Sequence, residues 1–399
     1  MNPGLQQLQP YPFEKLAELK QGIKPPKDFA EIDLSIGEPK HETPDFILDA
    51  LKKHIDSTAV YPKTRGSEEL RESIASWLTK RFKLPAGSIQ QDKHVLPVNG
   101  TREALFAIAD CIIDHRYTQP VVILPNPFYQ IYEGAALLAG ARPYYINCVA
   151  SGNFIPDFTE VADDIWENCQ LVYICSPGNP TGAIMPRESA LHLLSLADQY
   201  NFVIAADECY SEIYPDEDNP PLGLLQIAAE SGRDNYRNCI VFHSLSKRSN
   251  VPGMRSGFVA GDANIIESFL RYRTYHGCTM PGYTQAASTV AWKDENHVIH
   301  NRKLYRDKFA AVLEILQPVM PVTLPEAGFY LWPETALSDA EFARKLFGLK
   351  NLTVLPGSFL SRTANDINPG NNRLRIALVA GKDECIEAAN RIRDFINII

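Results

Sequence analysis

The sequence predicts an α/β protein in which a mostly parallel β-sheet carries helices on both faces and is followed by a smaller α+β domain. Short apolar, β-branched runs alternate with helical periodicity from residue 95 to residue 260, which is typical of a parallel sheet buried on both faces. Beyond about Gln285 the pattern changes to long amphipathic helices and short alternating strands. The 399 residues are enough for two domains.

The N-terminal part is predicted to be an arm followed by a strand and two helices. The stretch before Asp33 is rich in proline and lysine, so we expect it to wrap across the surface. Residues 32–36 alternate like a short strand, which Gly37 and Pro39 end. Helices are predicted over 45–55 and 67–82, the second capped by Ser67.

The remaining elements follow the same reasoning. In the first domain, strands are predicted at 95–98, 121–124, 171–175, 202–206, 239–242 and 257–260, with helices at 104–112, 130–138 and 186–200. In the second, helices are predicted at 301–316, 338–347 and 383–398, and strands at 329–332, 352–355 and 373–379. We therefore divide the chain into an N-terminal arm with part of the small domain (1–45), a large domain (46–285) and a small C-terminal domain (286–399).

The composition favours a protein that handles small molecules. The net charge of -9 disfavours a nucleic-acid partner, because that contact needs a basic face. There is no basic and apolar leader and no apolar run of about 18 residues, so we expect no membrane association and a cytoplasmic location. The eight cysteines contain no C-x-x-C pair, and we expect reduced thiols without a disulfide or metal site. They are Cys111, Cys148, Cys169, Cys175, Cys209, Cys239, Cys278 and Cys385.

Polar residues follow the ends of successive predicted strands. The carboxyl ends of parallel strands share one edge of a sheet, where ligands bind. The residues expected there are Asn99 to Arg102, Tyr129, Asn179, Asp207, Tyr210 and Ser244 to Lys247. Arg255 instead precedes the strand at 257–260, so that strand must run antiparallel to its neighbours for Arg255 to reach the same edge.

Lys247 lies among groups that suit a phosphate. Ser244 and Ser246 can donate hydrogen bonds to phosphate oxygens, and Arg255 can grip them with its planar guanidinium. The turn at Gly100 leads into a helix N-terminus, which also favours an anion. A lysine beside a phosphate site indicates a Schiff base with an aromatic aldehyde that carries a phosphate, and this requires the amine to lose its proton near neutral pH.

Four other residues at this edge suit the ring of such a ligand. Asp207 could keep a ring nitrogen protonated, Tyr210 and Asn179 could hydrogen-bond a ring oxygen, and Tyr129 could stack on the ring face. Taken alone, an aspartate after a strand is more often a solvated charge, and a tyrosine in the position of Tyr129 is more often part of the core. Their succession at neighbouring strand ends favours a single site.

These motifs together resemble the class I and II aminotransferases of fold type I, which are related to aspartate aminotransferase and use pyridoxal 5'-phosphate (PLP). The resemblance rests on Gly37-Glu38-Pro39, Tyr61 with Gly66, Gly100-Thr101-Arg102, Pro127-Phe128-Tyr129, Ser176-Pro177-Gly178-Asn179-Pro180-Thr181-Gly182, Asp207-Glu208-Cys209-Tyr210, Ser244-Leu245-Ser246-Lys247, Arg255, Gly328-Phe329-Tyr330-Leu331-Trp332 and Arg375-Ile376-Ala377-Leu378. It implies a large domain with a seven-stranded sheet.

The resemblance implies a role for each residue at the cofactor. Lys247 is the Schiff-base lysine and the base that moves the substrate Cα proton. Asp207 pairs with the pyridine nitrogen, Tyr210 and Asn179 hold the ring oxygen, and Tyr129 stacks on the ring. The residues implied to bind the phosphate are Thr101 and Arg102 through their backbone N–H groups, with Ser244, Ser246 and Arg255.

It also implies a substrate clamp and a dimer. Arg375 would bind the substrate α-carboxylate beside the backbone of Gly37. Arg373 faces the same side of its strand, and we prefer Arg375 because Ala377 supplies the small residue that the family has two positions later. Tyr61 would reach the phosphate of a neighbouring subunit, which implies a homodimer with shared active sites.

Within the family, residues 246–262 most resemble the succinyldiaminopimelate aminotransferases of lysine biosynthesis. The implied reaction transfers an amino group between N-succinyl-LL-2,6-diaminopimelate and 2-oxoglutarate, which gives the 2-oxo counterpart of the first and glutamate. Lys63, Arg65 and Arg248 are hypotheses for binding the distal carboxylates of that substrate. The alternatives are an aminotransferase for alanine, aspartate or an aromatic amino acid, a C–S lyase, and the effector domain of a transcriptional regulator. We disfavour the last because no basic segment precedes the fold.

Overall fold

The computed structural model describes residues 1–117, 119–277 and 279–398, so Cys278 lies outside the described residues. The strands are β1 (Ile32–Asp33), β2 (Val95–Val98), β3 (Val121–Asn126), β4 (Arg142–Asn147), β5 (Cys169–Cys175), β6 (Val203–Asp207), β7 (Cys239–Ser244), β8 (Gly257–Gly261), β9 (Tyr330–Leu331), β10 (Leu352–Thr353), β11 (Leu355–Pro356) and β12 (Leu374–Ala377).

Helices alternate with these strands through most of the chain. They are α1 (Pro12–Lys20), α2 (Asp45–Lys53), α3 (Glu68–Arg81), α4 (Gln91–His94), α5 (Thr101–Ile112), α6 (Gln130–Leu138), α7 (Asp163–Asn168), α8 (Arg187–Tyr200), α9 (Leu224–Glu230), α10 (Leu245–Arg248), α11 (Ala263–His276), α12 (Gly282–Lys293), α13 (Asn296–Leu316), α14 (Asp339–Lys350) and α15 (Lys382–Ile396). No helix of the described residues is long and apolar enough to cross a lipid bilayer.

The centre of the molecule is a seven-stranded sheet with the order β2-β8-β7-β6-β5-β3-β4. Strands β3 to β7 pair in parallel, whereas β8 runs antiparallel to both β7 and β2. The predicted α/β fold with a mostly parallel sheet is therefore confirmed, and so is the antiparallel strand after Arg255. Because Ser244 pairs with Gly257, Arg255 lies at the edge of the sheet where β7 ends.

Alternate residues of each strand face two separate apolar cores. In β7, Val241 contributes to one core with Trp77 and Trp292, and its neighbour Phe242 faces the other with Leu105. This alternation follows from the two-residue repeat of a strand. Burial of each large side chain contributes roughly 1.5–3 kcal/mol, so both helical layers stabilise the sheet that positions the cavity.

The elements that the sequence did not predict include β4 and the helices α1, α4, α7, α9, α10, α11 and α12. Strand β4 lies at the sheet edge and pairs with β3 alone, and most of its residues are only partly buried, so it lacks the apolar run that marks the other strands. Helix α1 lies within the proline- and lysine-rich arm. Pro12 begins it, and the Glu14 carboxylate accepts a hydrogen bond from the Tyr11 backbone N–H at 3.0 Å.

A third core forms from α13, α14, α15 and two small sheets. The sheet β11-β12-β9 is antiparallel, and β1 from the N-terminal part of the chain pairs in parallel with β10. Helix α12 instead packs on α2 and α3, beside the large sheet. Strand β12 belongs to this third core and carries Arg375, which lines the cavity at the end of the large sheet.

Candidate active site

A cavity of about 530 Å³ opens at the carboxyl edge of the large sheet. Its volume lies within the usual range of small-molecule sites, about 300–1,000 Å³. All the residues predicted to bind the cofactor or the substrate α-carboxylate, except Tyr61, line it. They are Gly37, Thr101, Arg102, Tyr129, Asn179, Asp207, Tyr210, Ser244, Ser246, Lys247, Arg255 and Arg375. Tyr61 is fully exposed on the surface.

Lys247 reaches into this cavity from the short helix α10, which begins directly after β7. The Ser244 hydroxyl caps α10 by accepting a hydrogen bond from the Ser246 N–H at 3.1 Å. The Lys247 Nζ donates a hydrogen bond to the Gly37 carbonyl. Burial, and then the nearby charge of Arg375, lower the pKa of Lys247 to about 8. The amine can therefore lose its proton close to neutral pH, as a nucleophile and base must.

Asp207 ends β6 at the base of the cavity and is held by two donors. The Tyr132 hydroxyl donates to its Oδ2 at 2.6 Å, and the Cys209 backbone N–H donates to its Oδ1 at 3.2 Å. Burial raises the pKa of this carboxyl group. A buried carboxylate is stabilised by a cationic partner, which makes Asp207 suited to a protonated ring nitrogen.

Tyr132 belongs to the site although the sequence did not single it out. It is fully buried on α6 and stacks on Tyr173, with ring centres 4.7 Å apart. The available signal was its spacing, because Tyr132 follows Tyr129 by one helical turn and so shares its face of the helix.

The part of the cavity at the start of α5 suits a phosphate group. Helix α5 begins at Thr101, directly after Gly100 with a φ of 92°, and the helix start offers free N–H groups and a partial positive charge. The Arg255 guanidinium lies beside this turn, donating to the Pro252 carbonyl at 3.0 Å and to Glu103 at 3.1 Å. A Cβ at Gly100 would lie 2.4 Å from Arg255 Nη2, so only glycine permits this approach.

Arg375 forms another wall together with aromatic side chains. It is 5% exposed, and it donates to the Ser35 carbonyl at 2.7 Å and to Asn179 Oδ1 at 3.0 Å. The Tyr210 and Tyr330 hydroxyls are hydrogen-bonded to each other at 2.9 Å. Among the described residues, Arg375 Nε has no hydrogen-bond partner, so the guanidinium retains a donor.

Arg373 does not share this position. It donates to the Trp332 carbonyl and to Glu334, each at 3.2 Å, and it does not line the cavity. Of the two arginines considered for the substrate carboxylate, the geometry therefore favours Arg375.

The buried position of Arg248 contradicts the hypothesis that this residue binds a distal carboxylate of the substrate. Its side chain is 1% exposed and stacks on Trp292, with the guanidinium carbon 4.9 Å from the ring centre. It donates to the Ala291 carbonyl at 2.7 Å and to the Asp294 carbonyl at 3.0 Å. Consecutive residues of a helix point about 100° apart, so Lys247 enters the cavity and Arg248 enters the core.

Residues 61–65 lie outside the cavity of their own chain. Lys63 is exposed, and Arg65 donates a hydrogen bond to the Asp92 carbonyl. Neither lines the cavity. The phosphate contact predicted for Tyr61 involves a neighbouring subunit, and the distal-carboxylate roles of Lys63 and Arg65 stay predictions.

The family model for Aminotransferase class I and II matches residues 30–392. The chain belongs to this family. It is accordingly a PLP-dependent aminotransferase, and it shares its fold with solved aminotransferases. It is 46% identical to one from Neisseria meningitidis, with a TM-score of 0.95 and full coverage of both chains. It is 34% identical to the aminotransferase AspB of Helicobacter pylori, with a TM-score of 0.89 over 98% of this chain and 99% of that one.

Curated relatives of this aminotransferase cover nearly the whole chain. The LL-diaminopimelate aminotransferase of Aquifex aeolicus is 30% identical over 98% of this chain and 97% of its own length. The LL-diaminopimelate aminotransferase of Maridesulfovibrio salexigens is 29% identical over 96% of each.

The donor set of the aminotransferase cavity fits PLP. Lys247 would supply an amine for the aldehyde, and Asp207 would supply a buried carboxylate for the pyridine nitrogen. The glycine at position 100 leaves room for Arg255 at the helix start, where a phosphate would find donors. These groups are of the right chemical types and line one cavity.

Proposed function

We propose that the enzyme transfers an amino group between N-succinyl-LL-2,6-diaminopimelate and 2-oxoglutarate. The observation that carries this proposal is the charge at the cavity mouth, where Arg102 supplies a guanidinium. Its Nη2 donates to the Tyr11 hydroxyl at 2.9 Å, and the side chain is exposed. It is therefore accessible to a carboxylate far from the reacting carbon.

The carboxylates of the cavity argue for the succinylated substrate over free diaminopimelate. The described lining residues include two acids, Asp207 and Glu103. Asp207 is buried at the base, and Glu103 pairs with Arg255 at 3.1 Å. The distal ammonium group of free diaminopimelate would need an uncommitted carboxylate. Succinylation converts that ammonium to an amide and adds a carboxylate, which suits Arg102.

The chain's own residues then carry the reaction. PLP supplies an aldehyde that captures amines and a ring that withdraws electrons. Lys247 would hold the cofactor through its amine and would move the proton at the substrate Cα. Asp207 keeps the ring nitrogen protonated. Arg375 binds the substrate α-carboxylate through two parallel hydrogen bonds, and Tyr129 stacks on the ring.

The remaining cofactor contacts are proposed from the same geometry. Tyr210 and Asn179 hydrogen-bond the ring oxygen. The phosphate is bound by the N–H groups of Thr101 and Arg102, by the hydroxyls of Ser244 and Ser246 and by the Arg255 guanidinium. These residues would hold the ring and the phosphate of the cofactor in one cavity together with Lys247.

We also propose a homodimer with shared sites. Ile55, Val60 and Tyr61 lie within seven residues of the chain and are exposed at 52%, 71% and 100%, and exposed apolar side chains close together are typical of an interface. In the dimer Tyr61 would reach the partner subunit's phosphate site, and Lys63 and Arg65 on the same loop would lie near its cavity mouth. The described cysteines are free thiols, which favours a cytoplasmic location.

LL-diaminopimelate is the second candidate substrate, because relatives named for it match nearly the whole chain. The test measures kcat/KM for the succinylated and free forms, with alanine, aspartate and an aromatic amino acid for comparison. We expect the succinylated form to be preferred and Arg102→Ala to lower its kcat/KM roughly 10-fold, about 1.4 kcal/mol. Lys80→Ala, an exposed lysine of α3, serves as the control. Preference for the free form, or no effect of Arg102→Ala, would contradict the proposal.

A further inference from the structure

The three residues that follow Lys247 are each tied to the α12–α13 region. The pairs are Arg248 with the Ala291 carbonyl (2.7 Å), the Ser249 hydroxyl with His297 Nε2 (2.8 Å) and Asn250 Nδ2 with Asn301 Oδ1 (3.1 Å). The loop that carries the active-site lysine is therefore anchored to helices far along the chain as well as to its own strand β7.

Asn301 also binds the segment that supplies the hydrogen-bond acceptor of Lys247. Its Oδ1 accepts a second hydrogen bond, from His41 Nδ1 at 2.7 Å, and His41 lies four residues after Gly37. Burial and the nearby Lys308 lower the pKa of His41 to about 4, so the ring is neutral at pH 7 and uses its one N–H for this bond. Thr43 donates to the Asn250 carbonyl at 2.9 Å.

The same helix holds the strand of Arg375. Seven residues after Asn301, the Lys308 Nζ donates to the Leu378 and Val379 carbonyls at 3.1 and 3.2 Å. These carbonyls follow directly on β12. Helix α13 therefore contacts the segments that bear Gly37, Lys247 and Arg375.

We propose that Asn301 is a positioning residue for Lys247, and that its side-chain oxygen sets the distance between the lysine and the Gly37 carbonyl by joining the loop of Asn250 to the segment of His41. Asn301 is 2% exposed and does not line the cavity, so it acts through these two neighbours. A displacement of about 1 Å at a reacting group can reduce catalysis by up to about 100-fold.

The positioning of Lys247 by Asn301 can be distinguished from an electrostatic effect on the pKa of Lys247. The charged or titratable groups that act on Lys247 are Cys209, Arg375, Glu38 and Arg255. Asn301 is neutral, so replacing it with leucine leaves these charges in place. A change in the behaviour of Lys247 would then follow from geometry.

The test compares Asn301→Leu with Val298→Ala as a matched control. Val298 lies on the same helix, is fully buried, and its truncation lowers stability without removing a hydrogen bond. For the holoenzyme we expect Asn301→Leu to lower kcat roughly 10-fold, to change KM less, and to shift the pKa seen in the visible absorbance. In the cofactor-free protein, amide exchange should rise at residues 37–43 and 248–251.

Val298→Ala should lower thermal stability by as much as Asn301→Leu does, but it should leave the absorbance pKa and the amide exchange of these two segments unchanged. If Asn301→Leu also leaves both quantities unchanged, the proposal is wrong. Asn250→Gly provides a second route if that variant does not fold. Asn250 has a φ of 55°, which glycine adopts without strain, so the substitution removes the carboxamide alone. Asn250→Gly should reproduce the change in the absorbance pKa and the faster amide exchange. If both stay at their wild-type values, the proposal is wrong.

Discussion

The Tyr132 hydroxyl lies 2.6 Å from Asp207 Oδ2 and donates a hydrogen bond to it. Both residues are buried, so no bulk water can replace this donor. The contact orients the carboxylate proposed to face the cofactor ring and stabilises its charged form. Tyr132 thereby connects the helix of Tyr129 to the strand end that bears Asp207.

We predict that Tyr132→Phe lowers kcat roughly 10-fold and stability by about 1–3 kcal/mol, because a buried carboxylate oxygen loses its partner. Tyr173→Phe is the matched control. Tyr173 stacks on Tyr132, and its hydroxyl donates to the Leu105 carbonyl at 2.6 Å. The control should lose stability in a thermal melt and retain kcat. If the two variants have equal kcat values, the Tyr132 hydroxyl does not contribute to catalysis through Asp207.

Gly100→Ala should weaken PLP binding by at least about 10-fold, or 1.4 kcal/mol. The new Cβ would displace the Arg255 guanidinium, and the positive φ adds strain. Gly87→Ala controls for the strain, because Gly87 has a φ of 75° and open space around it. Fluorescence titration of the cofactor-free proteins measures both affinities. If the two variants bind PLP equally well, the close approach of Arg255 does not matter for the phosphate.

The lowered pKa of Lys247 predicts a pH-dependent stability in the cofactor-free protein. The usual lysine value of 10.5 falls to about 8 on folding, so between these pH values the unfolded chain binds a proton that the folded chain lacks. The destabilisation is complete below pH 8 and is relieved as the pH rises towards 10.5. Denaturant unfolding should therefore show that Lys247→Met is stabilised relative to wild type by more at pH 7 than at pH 10.5. A difference that stays constant with pH would contradict the lowered pKa.

The sequence could predict the parts of the site that depend on strand ends. Asp207 ends an apolar strand, and Lys247 and Asn179 lie within four residues of the ends of two others. The antiparallel direction of the strand after Arg255 could be predicted because Arg255 precedes that strand. The direction of Arg248 could not be predicted, because in a single helical turn the local pattern does not tell which side chain faces the core. Tyr11 was missed for another reason, since it reaches Arg102 from a distant part of the chain.

The attachment site of the cofactor tests the account most directly. The holoenzyme is reduced with borohydride, digested, and its peptides are mapped by mass spectrometry. We predict that the mass of reduced PLP is found on the peptide with Lys247 and is absent from the Lys247→Ala protein. Lys308 is the internal control, because burial lowers its pKa to about 8 as well, although its Nζ binds backbone carbonyls outside the cavity. Label on Lys308 or another lysine, with Lys247 unmodified, would contradict the assignment of the active site.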